Sequence, residues 1–138
     1  MTIRNFAVAV AVLALVPIGI RAARADKLKF EMYKDNAMEF RWRLKAANGE
    51  TLATSGQGYK AKADCKNGVE RIMKDAATKL KFEVYEDNKK EHRWKLLATN
   101  GQTIGSSSQG YKNKADCEKA IDIIKKGAAM AEVADMTA

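Results

Sequence analysis

The feature that most limits what this chain can become is a duplication. Residues 28–77 and 80–129 align at a constant offset of 52 without a gap, and 28 of the 50 aligned positions are identical. Phe30-Glu31, Tyr33, Arg41-Trp42, Asn48-Gly49, Gly58-Tyr59-Lys60 and Ala63-Asp64-Cys65 all recur in the second copy. A copy of this size sits near the limit at which one core sustains itself. Only Thr78-Lys79 separates the copies. The spacing therefore predicts one pseudo-twofold domain over 26–138, in which repeat 1 (28–77) and repeat 2 (80–129) share an interior and a tail (130–138) follows.

Within each copy the periodicity is explicit. Leu28, Phe30 and Met32 alternate with Lys29, Glu31 and Tyr33, the pattern of a half-buried strand. After a turn at Asp35-Asn36, Phe40, Trp42, Leu44 and Ala46 alternate with Arg41, Arg43 and Lys45. Asn48-Gly49 and Asn100-Gly101 predict hairpins of type I′, which requires two positive φ values. A third strand is expected at about 50–55 and 102–107. Its Thr, Ser and small residues suggest a polar, less buried strand. Cys65, Val69, Ile72 and Ala76 then fall on one face of a helix over about 61–76, matched by Cys117, Ile121, Ile124 and Ala128 over 113–128. Asn113 can cap the second helix, with Asp116 three residues on, whereas Ala61 cannot cap the first. The fold class is α+β: two tandem β3-α(-β) repeats, an antiparallel sheet and two helices on one face.

The first 25 residues differ in kind. Arg4 precedes an apolar run from Phe6 to Val16, and Ala23-Arg24-Ala25 puts small residues before Asp26. This layout reads as a signal peptide over 1–25, with an uncleaved anchor as the alternative. The run is short for a span of roughly 20 residues, so no integral membrane segment is expected after cleavage. A periplasmic or secreted location follows. The chain carries +8; loss of Arg4, Arg21 and Arg24 leaves the remainder near +5. Export directs such charge toward anionic envelope components rather than intracellular nucleic acid.

The duplicated strand–turn–strand motif, Phe-Arg-Trp-Arg-Leu-Lys-Ala-Ala-Asn-Gly-Glu over 40–50, the Gly-Tyr-Lys elements and the helix that follows resemble the YegP-like family of small bacterial repeat proteins, whose function is not established. The resemblance spans 28–129. It implies β3-α-β units merged into one sheet, with C-terminal strands exchanged between units, so that the tail from about Ala131 would be such a strand. It implies no catalytic residue.

Candidate chemistry is sparse. Arg41, Arg43, Arg93 and Lys95 make outward basic rows that would join into one patch if the second strands were neighbours. Tyr59-Lys60 and Tyr111-Lys112 twice set an aromatic beside a cation, suited to a sugar or acidic polymer. Cys65 and Cys117 are candidates for a disulfide, or for filling apolar slots. Trp42 and Trp94 read as core, and His92, the one histidine, as a core-edge residue. No cofactor and no metal site is expected, since one His and two separated Cys supply too few soft ligands. The expected function is a non-catalytic binding or structural module of the envelope. The alternatives are a weak binder of anionic polymers through a basic sheet face, and a hydrolase or redox enzyme. Association with a second copy of the chain is a further expectation.

Overall fold

The computed structural model describes residues 28–137. The signal segment assigned to 1–25 lies outside the described residues. The elements run β1 (Lys29–Lys34), β2 (Phe40–Lys45), β3 (Thr51–Ser55), α1 (Lys62–Asp75), β4 (Lys81–Glu86), β5 (His92–Leu97), β6 (Thr103–Ser107), α2 (Lys114–Gly127), a short 3-10 turn (Ala128–Met130) and β7 (Glu132–Asp135). Seven strands form one sheet in the order β4-β5-β6-β3-β2-β1-β7. The repeats meet where β3 pairs antiparallel with β6, joining Ala53 to Ser107 and Ser55 to Gly105.

The sheet is mixed, not antiparallel throughout as the repeats alone suggested. The tail forms β7, which runs parallel to β1 and sets Val133 beside Phe30. The exchanged strand implied by the resemblance is therefore present, and it crosses from the second repeat to the first.

Register explains the core. Met32 faces Trp42, Phe30 faces Leu44, Leu44 faces Ala53, Leu96 faces Gly105 and Val84 faces Trp94. Cross-strand partners share a face, so these residues line one side of the sheet. α1 packs on β1 and β2, and α2 on β4 and β5. They bury Cys65, Val69 and Ile72, and Cys117, Ile121 and Ile124. Phe30 meets Trp42 edge-on with ring centroids 5.5 Å apart, and Phe82 meets Trp94 at 5.3 Å. Side chains of this size dominate core energetics.

Three local expectations are corrected. The third strands are central and largely buried: Leu52, Ala53, Ser55, Gly105 and Ser107 are all buried. At Gly105 there is no side chain because a tryptophan ring lies over it. A Cβ at Gly105 would stand 2.9 Å from Cη2 of Trp42. The Ser55 and Ser107 hydroxyls also accept from the amides of Trp42 and Trp94, at 3.4 and 3.3 Å. The hairpin turns are not type I′, because only Gly49 (φ 87°) and Gly101 (φ 86°) take positive φ. Gly49 N–H donates to Ala46 C=O and Ala46 N–H to Glu50 C=O, a three-residue loop with glycine in the left-handed position. Asn48 works through its side chain, whose Oδ1 accepts from Glu50 N–H at 2.9 Å. Finally, neither helix has a side-chain cap. Asn113 Nδ2 donates to Asp116 Oδ2 instead, so the expected difference in capping between the two helix starts is not seen.

Candidate functional site

The sheet face opposite the tryptophans presents the outward residues of every strand. β1 contributes Lys29, Glu31 and Tyr33; β2 contributes Arg41, Arg43 and Lys45; β4 and β5 repeat the pattern with Lys81, Glu83, Tyr85, Arg93 and Lys95. β2 and β5 are not neighbours. β3 and β6 lie between them, so the two basic rows stand three strand spacings apart, roughly 14 Å. The single patch that adjacency would have produced is replaced by two basic bands flanking a strip of Thr54 and Ser106.

Most of those cations are engaged. Asp35 Oδ1 accepts from the amides of Ala37 and Glu39, both at 2.9 Å, and Oδ2 accepts from Arg41 Nε at 2.7 Å. Asp87 does the same for Lys89, Glu91 and Arg93 at 2.8, 3.0 and 2.8 Å. The arginine beside each aspartate, with the loop amides next in weight, holds its carboxyl below the usual range. Arg43 Nε donates to Glu31 Oε1 at 2.8 Å, and Lys45 Nζ lies 3.5 Å from the same oxygen. Glu31 is only 7% exposed, yet the Arg43 hydrogen bond outweighs burial and lowers its pKa. Arg43 also stacks 4.5 Å over Tyr33, and Lys95 stands 5.2 Å over Tyr85.

Asp35 and Asp87 are the residues that sequence reasoning undervalued. They were read as turn residues, and they also anchor the candidate arginines. The signal was the recurrence of Asp six residues before Arg in both copies. These loops place Met38 (φ 65°) and Lys90 (φ 68°) in the left-handed region without glycine, held there by the aspartate's side-chain hydrogen bonds.

Tyr59 and Tyr111 do not pair with Lys60 and Lys112 as outward platforms. Tyr59 exchanges two backbone hydrogen bonds with Phe40, at 2.7 and 2.8 Å, and Tyr111 exchanges two with His92. Both rings pack half-buried against the core, and burial raises both phenol pKa values. Lys60 and Lys112 are exposed. His92 thus sits at the core edge, as read.

Cys65 and Cys117 are free and buried. The bridge considered for them is not made. Each thiol lies under its own helix, over strands on opposite sides of the β3–β6 seam, whereas a disulfide needs Cα atoms within about 7 Å. Desolvation pushes the Cys65 thiol up to about 11 and raises that of Cys117. Burial overrides the lowering that a helix N-terminus would exert, and both thiols are poor nucleophiles. Among the described residues no three His, Cys, Asp or Glu gather as a metal site. No helix among them is long and apolar enough to cross a membrane.

Comparison with known proteins gives a consistent answer. A family profile described as "Domain of unknown function (DUF1508)" matches residues 35–83 and again 87–135. A UPF0339 protein from the ptx operon 5′ region of Stutzerimonas stutzeri is 39% identical over 107 residues, which is 78% of this chain and 95% of that one. A UPF0339 protein of Treponema denticola is 48% identical over 56 residues, 41% of this chain and 95% of its own, so it corresponds to one repeat. The solution structure of the protein of unknown function yegP from E. coli is 31% identical with a TM-score of 0.73, covering 80% of this chain and 94% of that one. A UPF0339 protein from Shewanella oneidensis, 26% identical, also gives a TM-score of 0.73, over 80% of this chain and 92% of that one. The matched units end within β4 and at the end of β7.

Proposed function

The chain belongs to the DUF1508 family, whose function is unknown, and on that premise we propose that it is an exported, non-catalytic binding module of the cell envelope. In this reading 26–138 is one domain. Both helices occupy the Trp42/Trp94 face, and the opposite face meets anionic envelope polymers. The observation that carries it is the repetition of a cation over an aromatic ring, Arg43 over Tyr33 and Lys95 over Tyr85, on the exposed side of a sheet continuous across both repeats. Two such pairs spaced across a flat sheet suit an extended polymer better than a compact substrate. Carboxylates already neutralise Arg41, Arg43 and Arg93, so the affinity is modest and salt-sensitive. The leader at 1–25 supports export. The duplicated polar residues are consumed by turns and strand pairing, which supports a binding rather than a catalytic role.

The test is a pull-down from the envelope fraction at low and high salt. The quadruple variant Arg41→Glu, Arg43→Glu, Arg93→Glu, Lys95→Glu serves as control. Salt-labile capture that the variant loses supports the reading. Capture unaffected by salt and by the variant, or the protein found wholly in the cytoplasmic fraction, overturns it. Turnover of an envelope substrate abolished by one substitution would overturn the non-catalytic part.

A further inference from the structure

A cleft of about 190 Å³ opens between α1 of the first repeat and the start of β6 in the second. Its walls come from Gln57 and Tyr59 on one side, Asn67, Gly68 and Arg71 on the helix, and Gln102 opposite. Ile104 and Asp64 complete the lining. The feature departs from the internal symmetry. At the equivalent positions of α2 the second repeat carries Lys119, Ala120 and Ile123. Ala120 is buried and Ile123 packs against the core. The wall opposite α1 carries the half-buried Ile104 of β6, whereas its counterpart in β3, Leu52, is buried. Asn67, Gly68, Arg71, Gln102 and Ile104 differ between the repeats, whereas Gln57, Tyr59 and Asp64 recur as Gln109, Tyr111 and Asp116; the five that differ are free of the duty that duplicated positions carry in both halves.

Gly68 is the centre of the cleft. A Cβ there would lie 3.1 Å from the Tyr59 hydroxyl and 3.8 Å from Trp42 Nε1. The missing side chain leaves two polar atoms converging on one point. Trp42 Nε1 is buried and has no hydrogen-bond partner, a state it shares with Trp94 Nε1 in the second repeat, and such a donor stays unsatisfied only at a cost. Arg71 is held at the mouth by donating to Thr99 Oγ1 at 3.3 Å.

The donor set defines the ligand. Asp64 and Arg71 offset each other, so the cleft has no net charge to reward an ion. The amides of Gln57, Asn67 and Gln102 each donate and accept, and a phenol adds a ring and a hydroxyl. Vicinal hydroxyls, which also donate and accept, are the complementary chemistry. The volume lies below the roughly 300–1,000 Å³ of sites for larger ligands, which limits the occupant to one ring. We propose that this cleft binds a neutral, hydroxyl-rich ligand of monosaccharide size. The proposal is independent of the polymer-binding face.

The experiment is a titration of the ¹⁵N-labelled full chain with glucose, galactose, mannose and N-acetylglucosamine. The readouts are the amides of Asn67, Gly68 and Gln102 and the indole N–H of Trp42. At least one sugar is expected to give saturable shifts at these groups, with none at Lys119, Ala120, Glu50 or the Trp94 indole. The double variant Gly68→Ala, Arg71→Ile installs the residues of the second repeat. It should keep a dispersed spectrum and lose affinity by at least about tenfold. Asn67→Lys, likewise taken from the second repeat, should weaken binding in the same direction if the double variant misfolds. The proposal is overturned by no saturable shift with any of the four sugars, by equal shifts in both repeats, or by unchanged affinity in a folded variant.

Discussion

The two repeats begin from nearly the same sequence and end in different surroundings. In the first, Phe30 and Met32 are fully buried and Glu31 is enclosed among Arg43, Lys45 and Lys29. In the second, Phe82 and Val84 are half-buried and Glu83 is exposed. The difference is not in the strands. Among the described residues, β1 is flanked on both sides, by β2 and by β7, whereas β4 pairs with β5 alone. The 3-10 turn before β7 also packs on α1. One four-residue strand, supplied by the other repeat, thus converts a half-covered strand into a core strand. Local sequence makes the strand; the available edge decides its neighbour.

The sharpest way to break this comparison is to cut large side chains at matched positions. Phe30→Ala should cost about 3–5 kcal/mol in urea unfolding, the range for a fully buried aromatic. Phe82→Ala should cost about half as much. Equal losses would mean that β7 adds nothing to the first core.

Gly105→Ala probes the seam. The added methyl meets the Trp42 ring, and overpacking of this kind costs about 1–3 kcal/mol. Its counterpart Ala53 already carries that methyl, so Ala53→Gly should cost less, about 0.5–1 kcal/mol from strand glycine. A Gly105→Ala variant as stable as the parent would show that the two halves do not lock through this contact.

The charge clusters separate the halves by pH. Glu31 has a lowered pKa, so its contribution is fully present above the unfolded value near 4.3. It is lost as pH falls through the folded value. Glu31→Gln should therefore destabilise at pH 7 by about 1–3 kcal/mol, the scale of hydrogen bonds to charged groups. The deficit should vanish once acid has protonated the parent's Glu31. Glu83→Gln should show neither effect. A pH-independent loss at Glu31 would assign the cost to packing instead.

The smallest effect is expected at the thiols. Cys65 and Cys117 should resist a thiol reagent equally in native protein and react together on unfolding. Reductant should leave stability and mass unchanged. Fast labelling of either one alone would mean that its half opens first.

Much of this was legible in the residues. Alternation at 28–33 and 40–46 placed the first two strands, and Cys65-Val69-Ile72-Ala76 gave the first helix to within a residue of each end. Trp42 and Trp94 were readable as core from their alternation with Leu. The third strand was misjudged because Thr, Ser and Gly look like surface residues until the tryptophan over them is known. Whether the basic rows join into one patch was left conditional, because strand neighbours are a long-range property. Of the candidate site, the outward Arg and Lys were identified, but the arginine partners Asp35 and Asp87 and the cleft at Gly68 came from packing.

What the chain's own sequence determined was everything with a short period: strand faces, helix stripe, turn positions and the duplication that makes two equal halves. Backbone sterics and side-chain alternation act over a few residues, and a sequence displays them directly. What only the tertiary structure decided was which equal half received the tail, which tryptophan met which glycine, and which glutamate was buried. Those outcomes depend on edges and cavities that exist only after distant segments have met.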